Sequence, residues 1–156
     1  MQLPNVKGKN LERKQMTFPD DFTGQVNLVF IPFKRWHQDD VDGWVPFVGQ
    51  MSKEYPAMSF YEFPTLPDSN FIYRTFLNEG MRAGIPDKAT RARTITLYID
   101  KVKFRQALEI PNEDNVWIYL FDKLGNVLWK IKGKYDQGKG DALQSALRQI
   151  LSDDVD

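Results

Sequence analysis

The sequence predicts an α/β domain, a mixed sheet with helices on both faces. Two observations carry this. Short apolar runs at 26–33, 58–63, 94–99 and 116–121 alternate with stretches at 40–55, 71–83, 101–108 and 137–152, in which apolar residues recur every three or four positions. Strand–helix–strand units of that kind imply parallel crossovers. The last two strands, 116–121 and 127–131, are joined by five residues that include Gly125, which is the chemistry of an antiparallel hairpin turn.

Taken in order, residues 1–16 are polar, with Pro4, Gly8 and three lysines. An arm over 1–17 that wraps the surface is expected, with 16–18 extended before a turn at 19–21. Residues 26–33 form a short, continuous apolar run rich in β-branched and aromatic side chains, a buried strand; Pro32 suits its end. In the helix at 40–55, Val41, Trp44, Val45, Val48 and Met51 or Ser52 make one stripe. Asp39 or Asp40 serves as its N-cap, and Pro46 predicts a kink. Strand 58–63 ends at Pro64 and Pro67. Ser69 or Asn70 caps a helix over 71–83 whose apolar residues are Phe71, Ile72, Phe76, Leu77 and Met81. Residues 84–87 break it, and 88–93 read as a basic loop. Strand 94–99 follows, then Asp100 caps a helix over 101–108 with Phe104, Ala107 and Leu108 inward. The run 116–121 is apolar throughout, hence central in the sheet. Gly133 ends the returning strand, and the last helix presents Leu143, Ala146, Leu147, Ile150 and Leu151. One domain over 18–152 and a solvated acidic tail at 153–156 complete the reading.

At 156 residues a single domain with its own core is expected. Lys plus Arg and Asp plus Glu are each 21, which argues against a bulk electrostatic grip on nucleic acid. The chain has no cysteine, so disulfides, thiolate metal sites and thiol redox chemistry are excluded in it. The apolar runs are far short of the roughly 20 residues a membrane helix needs. No signal peptide or Arg-rich targeting segment is read in the first residues, and the compartment is left open.

The strand–helix–strand unit resembles the thioredoxin-like superfamily, a three-layer sandwich. Residues 28–33, Trp36, the helical Pro46 and Glu54-Tyr55 are similar to its strand, active-site loop and kinked helix. In that family a Cys-x-x-Cys motif stands at the helix start, with the proline five residues past the second cysteine. Anchoring on Pro46 puts Gln38 and Val41 at the replaced redox positions. The family's cis-proline before the terminal hairpin has no counterpart in 112–116. A narrower resemblance covers most of 18–151. It is carried by Trp44-x-Pro46-Phe47, by the run from Arg93 through Asp100-Lys101 to Leu108, and by Tyr119-Leu120-x-Asp122-x-x-Gly125-x-x-Leu128-Trp129-x-x-x-Gly133. These segments are similar to the thioredoxin-like assembly-factor family of the mitochondrial ATP synthase and its bacterial relatives. That resemblance implies action on other proteins.

The candidate binding residues are Lys34, Arg35, Trp36, His37 and Gln38 at the strand–helix junction, with Pro86 and Asn115 as expected neighbours. Trp36 would supply an apolar platform and Arg35 a bidentate donor. His37, the single histidine, is expected at the surface; the alternative is a general base beside Asp39 or Glu62. No catalytic residue, metal site or cofactor is assigned. The basic run Arg74, Arg82, Lys88, Arg91 and Arg93 reads as a charged surface balanced by acids elsewhere, so nucleic acid is not expected. Asp122 and Gly125 fit a turn better than a calcium loop. The expected function is a redox-inactive, protein-binding or assembly-type domain. The alternatives are a cysteine-independent enzyme using His37 or a structural oligomerising domain, and the oligomeric state is left open.

Overall fold

The computed structural model describes residues 1–153. Its elements are β1 (Val6–Lys9), β2 (Gln15–Phe18), β3 (Val26–Ile31), α1 (His37–Glu54), β4 (Met58–Glu62), β5 (Thr65–Pro67), α2 (Phe71–Gly84), α3 (Lys88–Ala92), β6 (Leu97–Ile99), α4 (Lys101–Ala107), β7 (Trp117–Asp122), β8 (Val127–Lys132) and α5 (Gln137–Asp153).

The central sheet has the order β4-β3-β7-β8. As its crossovers and hairpin require, β3 runs parallel to β4 and antiparallel to β7, and β7 pairs antiparallel with β8. Backbone bonds extend the ladder past Pro64. Thr65 N–H donates to the Pro32 carbonyl at 3.0 Å, and Leu97 N–H to that of Pro64 at 2.8 Å. Strand β6 is therefore parallel to β5 and attached at the margin, where Ile95 N–H meets the Glu62 carbonyl at 2.9 Å. The expected strand 94–99 is thus a three-residue strand preceded by isolated bridges at Thr94 and Ile95.

Alternation along β3 splits the core. Leu28 and Phe30 face Val41, Trp44, Val48 and Met51 of α1 and Leu143 and Leu147 of α5. Val29 and Ile31 face the other way, onto Phe104 and Leu108, which gives the three layers. On this second face Leu3, Val6, Met16 and Phe18 join the same core. The expected surface arm over 1–17 is therefore a β1–β2 hairpin built into the domain. Glu12 of this segment pairs with Arg82 at 3.5 Å and Arg91 at 3.2 Å, and Arg13 pairs with Glu79 at 2.9 Å.

Local chemistry explains the other departures. Residues 88–92, expected as loop, form α3 because the Asp87 side chain accepts the Thr90 N–H at 3.0 Å, an N-cap bond. Asn70 caps α2 and Asp100 caps α4 in the same way. Ala107 is exposed while Phe104 and Leu108 are buried. Helix α1 begins at His37, ahead of the expected Asp39 or Asp40 cap, and runs unbroken through Pro46. Gly125 takes the expected positive φ of 85°, and Asp122 Oδ1 accepts the N–H groups of Leu124 and Asn126, both at 2.9 Å. Within the apolar set of α2, Ile72 is 81% exposed and Phe76 73%, while Leu77 and Met81 are half-buried. Of the acidic tail, 154–156 lie outside the described residues.

Candidate functional site

Strands β3, β5 and β6 point the same way and lead into α1, α2 and α4. The first turns of these helices therefore gather at one end of the domain. Because β7 is antiparallel to β3, with Ile31 opposite Trp117, the loop over 111–115 comes to the same end. The hairpin turn at 122–126 is at the other.

At this junction Lys34, Arg35, Trp36 and Gln38 are exposed and His37 is fully buried. The expectation of a surface histidine is corrected, and the reason is local. His37 Nδ1 accepts the backbone N–H groups of Phe33 at 2.9 Å and Lys34 at 3.2 Å, donors that the strand end and the loop leave without a ladder partner. The ring proton therefore sits on Nε2, which is buried and turned toward the backbone of Asp114 without a well-formed bond. Burial holds the imidazole below its usual pKa, against weaker opposing pulls from Asp114, Asp40 and Glu113. A neutral ring with one nitrogen occupied and the other enclosed pins strand to helix, and neither nitrogen is free to take a substrate proton. Neither Asp39 nor Glu62 bonds to it among the described residues.

Trp36 sits at the N-cap of α1. It meets His37 edge-on, with ring centroids 4.3 Å apart, and remains 57% exposed. Lys34 Nζ lies 3.3 Å from Glu113 Oε1. The same carboxylate pairs with Lys101 at 2.7 Å and Arg105 at 3.5 Å, tying the loop before β7 to α4 and to the junction. Burial pushes the Glu113 carboxyl up, and the two lysines outweigh it, so its pKa lies below the usual value. Asn115 is at this end too, just ahead of β7. Pro86 is not. It follows α2 after that helix has run back along the domain, and its carbonyl accepts from Arg91 at 2.9 Å.

Gln38 occupies the second position of α1 and donates to Asp42 Oδ1 at 2.9 Å. Val41, one turn on, is fully buried in the core. Gln38 and Val41 therefore both stand at the strand–helix junction, and neither offers sulfur. Among the described residues the loop before β7 has no cis peptide, and no group of three His, Cys, Asp or Glu side chains could hold a metal ion. Beneath Gln38 lies Glu62, 8% exposed. Burial, reinforced by Asp42, pushes its carboxyl up to about 7, while a hydrogen bond from Gln38 and the charge of Arg93 pull weakly the other way. Its meeting with Gln38 spans a crossover and was not readable from spacing. The basic run is largely internal: Arg74 pairs with Asp68, Arg82 and Arg91 with Glu12, and the Arg93 guanidinium lies 4.3 Å from the Phe60 ring centroid.

A three-layer α/β sandwich with this sheet order and a strand–loop–helix junction defines a thioredoxin-like domain, here one without cysteine. Similar solved structures agree on the fold. A thioredoxin lipoprotein of Streptococcus pneumoniae matches with a TM-score of 0.60 at 11% identity, over 94% of this chain and 99% of its own. Arabidopsis thaliana ScoI, solved with copper bound, matches at 0.62 and 11% identity, over 96% and 99%. A putative thiol:disulfide interchange protein DsbE from Chlorobium tepidum matches at 0.55 and 15%, over 95% and 94%. A search of curated protein sequences finds no match. The family model for the ATP10 protein matches residues 1–150, and the chain belongs to that family, as the resemblance of its strand and hairpin segments implied.

Proposed function

We propose that this domain works as an assembly or chaperone-type factor, binding another protein without electron transfer, and that the junction around Trp36 is its contact face. Membership of the ATP10 family supports an assembly role, with a component of the ATP synthase as the partner class. The observation that carries the reading is Trp36, 57% exposed at the helix start where relatives with the motif would keep a thiol. Exposed Ile72 and Tyr73 in the first turn of α2 and Val102 in that of α4 stand at the same end. Exposed aromatic and aliphatic anchors of this kind mark interaction sites on soluble domains. Lys34 and Asn115 frame the face, and Arg35 adds an exposed cation. Gln38 contributes a polar rim, while His37 holds the loop's shape from below. Pro86 takes no part in this surface.

A photo-crosslinking amino acid at position 36, compared with one at Leu124 on the opposite end, tests the reading in cells that assemble the synthase. A discrete adduct with a synthase subunit from position 36 and not from 124 is expected. Equal adducts from both positions, or none from 36, would remove the face.

A further inference from the structure

The ladder that β6 carries along β5 stops where Glu62 meets Arg93 and Thr94. Below that point the chain leaves the sheet into α3, and the outer edge of β4 is bare. The parity of the ladder identifies the free groups. Val26 N–H reaches Ala57 and Phe63 N–H reaches Phe30, so 57, 59 and 61 bond inward to β3 under the register Leu28 opposite Phe60. Phe60 N–H, the Phe60 carbonyl and the Met58 carbonyl therefore point outward, and no hydrogen bond among the described residues ends on them. They open onto a cleft of about 520 Å³, walled by Ala89 and Ala92 of α3, Arg93, and Lys14 of the N-terminal hairpin.

Natural domains cover or blunt such edges, because unpaired strand groups template another chain. Here nothing in the described chain fills the gap, and the charges bordering it have one sign. Lys14 and Arg93 line the cleft, no carboxylate does, and neither cation makes an ion pair among the described residues. Of the acids near Arg93, Asp87 is engaged as the α3 cap and Glu62 is buried under α1.

We propose that this cleft binds an extended, carboxylate-bearing peptide segment of a partner protein, which adds a short strand to β4 at Met58–Phe60. Main-chain bonds to Phe60 supply the pairing and Lys14 and Arg93 select acidic side chains, the division of labour general to strand addition. This face is distinct from the Trp36 junction, and either assignment can fail without the other.

The probe is a fluorescein-labelled, end-capped hexapeptide alternating Glu with Val, measured by anisotropy alongside amide hydrogen exchange. Saturable binding, slower exchange at the Phe60 amide, and about a fivefold weaker affinity with Lys14→Glu are expected, the size of a rim charge. Methylating the peptide's central amides should abolish binding while leaving its charge unchanged. Equal binding of the methylated peptide, equal binding of a Lys-Val counterpart, or unchanged exchange at Phe60 would each overturn the proposal. So would a Phe60 amide already protected in the free protein and released on dilution, which would show the edge pairing with a second copy.

Discussion

Helices α1 and α2 carry similar numbers of apolar residues, yet they meet solvent in opposite ways. α1 buries Val41, Trp44, Val48 and Met51, while α2 leaves Ile72, Tyr73 and Phe76 each more than half exposed. The difference lies in what each has to lie against. α1 covers the six-residue strand β3 at the middle of the sheet and shares that core with α5. α2 follows the three-residue strand β5, at a margin whose core face is already taken by the N-terminal hairpin. Its ties to the rest of the domain include polar ones, Glu79 to Arg13 and Asn78 Oδ1 accepting from the Tyr98 hydroxyl at 2.8 Å. Apolar periodicity thus says that a helix has a face needing cover; it does not say that its own chain supplies the cover.

The sharpest way to break the contrast is to cut into α1. Trp44 is fully buried, its Nε1–H donates to the Gly133 carbonyl at 2.9 Å, and its ring meets Tyr135 edge-on at 5.3 Å. Trp44→Ala leaves a cavity and an orphaned carbonyl, and a loss of about 3–5 kcal/mol is expected, read from the midpoint of urea unfolding. A loss under 1 kcal/mol would mean that α1 is not the sealed helix described.

A second test uses the carboxyl beneath α1. Glu62 is pushed up from 4.5 to about 7, so between those values the folded chain keeps a proton that the unfolded chain has released. Its contribution is intact below pH 4.5 and is lost as pH rises through 7. A shift of that size corresponds to about 3 kcal/mol at full ionisation. Glu62→Gln should therefore be near neutral at pH 4 and stabilising at pH 8 by as much as that. An equal change at both values would show that the α1 side of the sheet does not exclude water there.

The contrast also marks where the sequence stops being readable. The four strands of the central sheet, the Gly125 turn and α5 follow from local pattern, because each is long enough for its period to show. That Gln38 and Val41 stand at the start of α1 could be set from Pro46 alone, since helix spacing is rigid. The β1–β2 hairpin was hidden because Leu3, Val6 and Met16 are interleaved with lysines and are buried in one core with residues far along the chain, among them Ile95 and Leu97. The burial of His37 depends on backbone donors at Phe33 and Lys34, which any sequence could supply. Glu62 meets Gln38 only through the crossover, and Pro86 left the junction because α2 carries the chain away from it.

The smallest effect is the most informative about α2. Phe76 is 73% exposed, so Phe76→Ser gives up little burial, and a change within about 0.5 kcal/mol is expected for a surface site. Unfolding of both chains at low and at hundredfold higher concentration checks it. If Phe76 is uncovered in the free domain, the two curves coincide at each concentration. A loss above 2 kcal/mol that grows with concentration would instead mean that α2 is covered by another copy in solution, and its exposure in a single chain would then reflect the missing partner surface and not a difference in kind from α1.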